Sequence, residues 1–241
     1  MKLVIIAQPR SRSTWLMNQL RTSPHLSVVD DFFGELVTPG HRKATAKRMG
    51  LPIPEDSENW SMDFAYADLF WKNNPNGCFK LLAHGNSAAF YKHLMTLPDV
   101  YFATIQRTDI LNSIAARIAC AIKFNFEKDQ TAYTLPTRNR KISYMDNAAL
   151  LVPETIDFKR ARVLEFFYYQ LEGKGQRWLA EFANHERCVA DIHDTHEMSK
   201  LEAFTESTFD WESLKPVSTY PEIFTDWEMY EKDVRDILGI G

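Results

Sequence analysis

The stretch LVIIAQPRSRSTWLMNQL, Leu3 to Leu20, decides how this chain is read. Leu3 to Ala7 is a short apolar run with the character of a strand covered on both faces. A polar turn, Gln8-Pro9-Arg10-Ser11-Arg12-Ser13-Thr14, follows, and a helical pattern starts at once with Trp15, Leu16, Gln19 and Leu20. A strand, a tight turn and a helix in that order leave backbone N–H groups unpaired at the helix N-terminus. Those donors and the helix dipole make an anion site. Arg10 and Arg12 add cationic forks, and Ser11, Ser13 and Thr14 add hydroxyl donors suited to phosphate or sulfate oxygens. A basic surface turn without a ligand is the competing reading.

Composition sets the limits around this stretch. The 241 residues can bury a substantial core, either as one large domain or as one domain with a smaller cap. Hydrophobic residues at 45% and charged residues at 25% are ordinary for a soluble globular chain. A formal net charge of -4 argues against general nucleic-acid binding, so an anionic ligand must be held by local clusters of Arg and Lys. Cys78, Cys120 and Cys188 are widely spaced and show no C-x-x-C pattern, which points to buried thiols in a reducing compartment. No signal peptide and no membrane-spanning segment are expected, because the first apolar run ends at Pro9 and no run approaches the roughly 20 residues a bilayer requires.

Strand patterns recur at Leu26–Val29, Cys78–Ala83, Val100–Gln106 and Cys188–Ile192. Helical patterns separate them at Thr14–Arg21, Phe64–Trp71, Ser87–Leu94, Ile110–Phe124 and Phe158–Ala183. Such alternation predicts an α/β fold of three layers, with a mostly parallel central sheet flanked by helices. Ligands in sheets of this kind bind outside the carboxyl ends of the strands, where Arg10 and Arg107 both fall. Residues 39–59 and 127–153 lack clear periodicity and are expected to be lid or acceptor loops, with solvated connections as the alternative. Trp227, Tyr230, Val234, Ile237 and Leu238 predict a packed final helix that stops at Gly239.

The Pro9–Trp15 segment resembles the 5′-phosphosulfate-binding loop of sulfotransferases, whose usual form is P-R/K-S-G-S/T-T-W/L. The family's Gly is Arg12 here, and Gly permits backbone conformations that Arg adopts only at a cost. A second segment, Val100 to Ala119, resembles the element that holds the 3′-phosphate, with Arg107 after a strand and Ser113 on the following helix. Arg107 and Ser113 are six positions apart, whereas eight is common in the family. The Asp109 to Ser113 part does fit.

The resemblance implies a P-loop NTPase-like sulfotransferase domain spanning residues 1–241. Its donor would be 3′-phosphoadenylyl sulfate (PAPS) and its product adenosine 3′,5′-bisphosphate (PAP), with no metal. Arg10, Ser11, Arg12, Ser13, Thr14 and Trp15 would bind the 5′ end, and Arg107 and Ser113 the 3′-phosphate. A small-molecule or carbohydrate hydroxyl is the implied acceptor, and the lack of a membrane anchor favours the cytoplasm. For the general base, Gly34-Glu35 looks like a Gly-Glu pair found in branches of the family, so Glu35 comes first. Asp30 and Asp31 are alternatives by position, Phe32 and Phe33 offer an apolar wall, and His84 is the runner-up after the Cys78–Ala83 strand. Lys80 lies on the same strand and is expected to sit too deep.

Two further segments carry less. Glu172–Trp178 is loosely similar to a Gly-rich nucleotide lid but falls inside a helical pattern, and Asp191–His196 holds metal-ligand residue types without metal-site spacing. A P-loop-like nucleotide kinase is the enzyme alternative, although G-x-x-x-x-G-K-[ST] is missing. A non-catalytic nucleotide-binding module is the other.

Overall fold

The apolar run at the start of the chain forms β1 (Lys2–Ala7), buried from Leu3 onward. The computed structural model describes residues 1–8, 11–29, 33, 39–52, 64–83, 87–105, 111, 114–115, 174–189, 195–213 and 224–239. The chain divides into two compact units, Met1–Gln106 with Lys174–Leu214, and Arg107–Gly173 with Lys215–Gly241.

In the first unit β1 leads through α1 (Ser13–Leu20) to β2 (Ser27–Val29), then α2 (Pro39–Arg48), α3 (Phe64–Asn73) and β3 (Gly77–Leu82). Next come α4 (Ala88–Thr96), β4 (Val100–Ile105), α5 (Lys174–Ala183), β5 (Cys188–Val189), α6 (Thr195–Thr205) and a 3₁₀ turn, Trp211–Ser213. The five strands pair in the order β2-β3-β1-β4-β5 and every ladder is parallel. β1 is central, with Ala7 in register with Leu82 on one side and Ile105 on the other. The expected α/β architecture is therefore present, and the strands begin and end within about a residue of the sequence patterns wherever both ends are described.

Alternation along the strands builds two cores. One face buries Val4, Ile6, Phe79, Leu81 and Phe102 against α3, α4 and α5. The opposite face buries Leu3, Ile5, Ala7, Ala103 and Ile105 against Leu16, Met17 and Leu20 of α1 and Met198 and Leu201 of α6. The helix ends are tied locally. Ser87 caps α4 by accepting from the Phe90 N–H at 3.2 Å, and the Arg187 guanidinium donates to the Leu97 and Pro98 carbonyls at its other end. Gly77 is required where β3 begins, because a Cβ there would lie 2.4 Å from the ring of buried Phe70.

One sequence expectation needs correction. Residues 39–48, read as irregular, form α2, whose Thr45 and Ala46 are buried. Phe33, one of the two rings read as an apolar wall for the candidate base, packs in the core, its ring 4.7 Å from Phe79 and 5.5 Å from Phe90. The segment 127–153 lies outside the described residues.

The second unit contains α7 (Trp227–Leu238), the packed final helix expected from the sequence. Phe224, Trp227 and Tyr230 cluster, and the Tyr230 hydroxyl donates to the Leu111 carbonyl at 2.7 Å. Gly239 closes the helix in the left-handed conformation, φ 65°. Ile114, from the expected stripe after β4, is buried in this unit.

Candidate functional site

β1 and β4 are neighbours whose chains leave in opposite directions. β1 leads out towards β2 at one edge of the sheet, and β4 towards β5 at the other. In open α/β sheets this reversal is the topological switch point, and ligands bind outside the carboxyl ends of the strands there. The Gln8 N–H donates to the Ile105 carbonyl at 2.8 Å, so pairing between the two strands continues to their ends.

Beyond Gln8 the chain turns tightly into α1. The Ser11 N–H donates back to the Gln8 carbonyl at 3.2 Å. Arg12 is the N-cap residue and adopts the left-handed conformation, φ 69° and ψ 17°, at the position where glycine is the low-cost choice. Its side chain makes no cap hydrogen bond. The Arg12 carbonyl accepts from the Trp15 and Leu16 N–H groups at 2.9 and 3.3 Å. The N–H groups of Ser13 and Thr14, one step earlier, have no acceptor among the described residues, as the opening geometry of a helix dictates.

Ser11 adds a second feature. It is 1% exposed, and its hydroxyl has no hydrogen-bond partner among the described residues. Buried hydroxyls are nearly always satisfied, because an unsatisfied one costs about 1–3 kcal/mol. An orphaned hydroxyl beside an uncapped helix N-terminus is an arrangement that an oxyanion would complete. Ser13 is buried as well, while Thr14 is exposed.

Trp15, on the first turn of α1, is half-buried. Its ring packs against Trp211 at 5.4 Å and edge-on to Phe209 at 6.2 Å. The indole N–H donates to the Ser213 Oγ at 2.9 Å. That contact joins positions 198 apart in the chain, and no local pattern in the sequence signals it. Lys80 is buried, as expected, in register with Ile5.

Of the residues singled out in the sequence, Ser11, Arg12, Ser13, Thr14 and Trp15 thus share the junction between β1 and α1. Arg10, Asp30, Asp31, Glu35, His84, Arg107 and Ser113 lie outside the described residues. So does most of the Asp191–His196 segment. Lys174 to Trp178 of the glycine-containing segment form the first turns of α5, and Trp178 packs on Tyr91 in the core at 4.8 Å. Among the described residues no helix is long and apolar enough to cross a membrane, and no group of three His, Cys, Asp or Glu side chains is placed to hold a metal ion.

No protein-family profile matches the chain, and no curated protein matches it. Among solved structures, the crystal structure of a sulfotransferase from Alicyclobacillus acidocaldarius aligns with it. The alignment covers 100% of this chain and 96% of the other, at 13% sequence identity and a TM-score of 0.44.

Proposed function

We propose that the chain is a sulfotransferase that moves a sulfuryl group from PAPS to a hydroxyl of a small-molecule or carbohydrate acceptor. The observation that carries this reading is the orphaned, buried Ser11 hydroxyl beside an uncapped helix N-terminus at the carboxyl end of the central strand. The Pro9–Trp15 sequence and the switch-point position of the turn support it further.

In the proposed reaction the acceptor oxygen attacks sulfur and the bond from sulfur to the 5′-phosphate oxygen breaks. The acceptor proton passes to a base, for which Glu35 is the first choice, with Asp30, Asp31 and His84 as alternatives. Negative charge grows on the leaving phosphate oxygen. Arg10, the Ser11 hydroxyl and the N–H groups at the start of α1 stabilise it, and fixed donors of this kind need no rearrangement as the charge develops. Arg12 supplies a second cation at the same turn. Arg107 and Ser113 hold the 3′-phosphate, the former through a bidentate fork.

The test is a thermal-shift titration with PAP, with ATP and magnesium in parallel. A ligand that binds only the native state raises stability by about 2.7 kcal/mol at a hundred times its dissociation constant. For a chain of this size that corresponds to a rise of roughly 5–10 °C. Stabilisation by ATP with magnesium and not by PAP would instead select the kinase reading. Stabilisation by PAP without sulfation of any acceptor in a screen would select a non-catalytic module.

Ser11→Ala separates the two faces of the same feature. Removing an unsatisfied buried hydroxyl is expected to raise the stability of the ligand-free protein by about 1 kcal/mol. The same change removes a donor to the anion and is expected to weaken PAP binding by about tenfold. Urea midpoints and calorimetric titration measure the two effects. A variant that is less stable, or that binds PAP as the parent does, refutes the assignment of Ser11.

A further inference from the structure

We propose that Gln19, acting with Ser213, is a positioning residue that holds the anion-binding first turn of α1 in its working orientation. The proposal rests on the oxyanion-site reading of that turn.

α1 is only eight residues long, about 12 Å. A helix this short does not hold its own shape or direction, so its surroundings set both. Its apolar side, Leu16, Met17 and Leu20, packs on the sheet and fixes depth. Trp15 and Gln19 are four residues apart and stand one above the other on another side. The return segment Phe209–Ser213 lies against them.

The contacts there are directional and closed. The Gln19 Oε1 accepts from the Asp210 N–H at 2.7 Å, and its Nε2 donates to the Ser213 Oγ at 3.3 Å. Trp15 donates to that same Oγ at 2.9 Å. The Ser213 hydroxyl donates its own proton to the Asp210 carbonyl at 2.7 Å. One hydroxyl therefore uses its single donor and both acceptor sites, and ties two turns of α1 to one 3₁₀ turn.

The abutment has an anchor of its own. The Glu202 Oε1 of α6 accepts from the Phe209 N–H at 2.7 Å, so the segment is fixed before α1 leans on it. An apolar residue at position 19, which is 9% exposed, would pack there but leave the Asp210 N–H without this acceptor. Gln19 exchanges some apolar packing for a fixed angle. Trp15 lies on the turn whose opening N–H groups are aimed at the anion, and such donors act only when held within about half an ångström.

The test compares Gln19→Met, Ser213→Ala, their double variant and Ser213→Thr with the parent protein. The dissociation constant for PAP is measured by calorimetry at 15 °C, on samples shown to be folded by circular dichroism. Gln19→Met and Ser213→Ala are each expected to weaken binding about five- to tenfold. The double variant should lose little more than either single one, because each opens the same closed network that seats α1 on the Asp210–Ser213 turn. Ser213→Thr, which keeps that hydroxyl, should remain within twofold of the parent. Single variants with lower urea midpoints but parental PAP affinity would make the network merely structural and overturn the proposal. Additive losses, or a variant that does not fold at 15 °C, also overturn it. A parent protein that binds no PAP removes the reading of the site, and the positioning role with it. A parent that binds while the variants bind equally well removes the positioning role alone.

Discussion

Alanine at position 10 is expected to lower turnover by roughly 10²–10³-fold while changing PAP affinity far less. The asymmetry follows from where charge moves in the proposed reaction. The 5′-phosphate oxygen that leaves sulfur carries more negative charge in the transition state than in bound PAPS. A guanidinium next to it therefore interacts most strongly at the top of the barrier. An interaction made mainly in the transition state lowers kcat and kcat/KM together when it is removed. Arg107→Ala supplies the contrast. The 3′-phosphate does not change charge during transfer, so the loss should appear as about 10–100-fold weaker nucleotide binding at similar turnover. Steady-state kinetics of both variants at saturating and limiting PAPS tests the pair. Equal effects on binding and turnover at the two positions would contradict the assigned roles.

Phe79→Ala is expected to cost about 3–5 kcal/mol of stability, the largest loss foreseen for a residue away from the site. Phe79 is fully buried on β3, with the rings of Phe33, Trp71 and Phe70 at 4.7, 5.0 and 5.7 Å. Truncation removes the transfer free energy of the ring and leaves a cavity walled by three aromatic side chains that are themselves held in place. Pairs of this kind contribute about 0.5–1.5 kcal/mol beyond their buried area. Urea unfolding of the parent and variant measures the difference. A loss below 1 kcal/mol would mean that the neighbouring rings collapse into the space.

The strands were legible for a simple reason. Leu3–Ala7, Val100–Ile105 and the run after Gly77 are short apolar stretches bounded by proline, glycine or charge, as parallel strands covered on both faces must be. α2 escaped because the pattern that usually reveals a helix is missing. Pro39–Arg48 carries His41, Arg42, Lys43, Lys47 and Arg48 and only small apolar side chains, so no stripe stands out. What favours helix there is proline in the first turn and a run of good helix formers. Burial of Ala46 beside Leu51 then ties it to the core.

The β1–α1 turn was legible from chemistry, through five hydroxyl and guanidinium residues between a strand and a helix. Its conformation was legible only in part. Arg12 adopts a positive φ, which glycine reaches at lower cost and which its residue type does not signal. The support around Trp15 was not legible, since Asp210 and Ser213 lie 191 and 194 residues beyond Gln19. Their sequence carries no feature that points back to the N-terminal helix.

The position of β1 also bears on the order in which this molecule is completed. β1, which precedes the other four strands of its sheet in the chain, takes the middle of that sheet, flanked by β3 and β4, which begin at residues 77 and 100. Until both have emerged, Leu3–Ala7 keeps at least one open edge and apolar surface that is only partly covered, the state in which nascent parallel sheets are most prone to self-association. The helix that follows waits longer still, since its polar side is not engaged until Ser213 arrives, 198 residues after Trp15. This strand and helix, made before the partners that cover them, are thus among the last elements of the sheet to reach their final form.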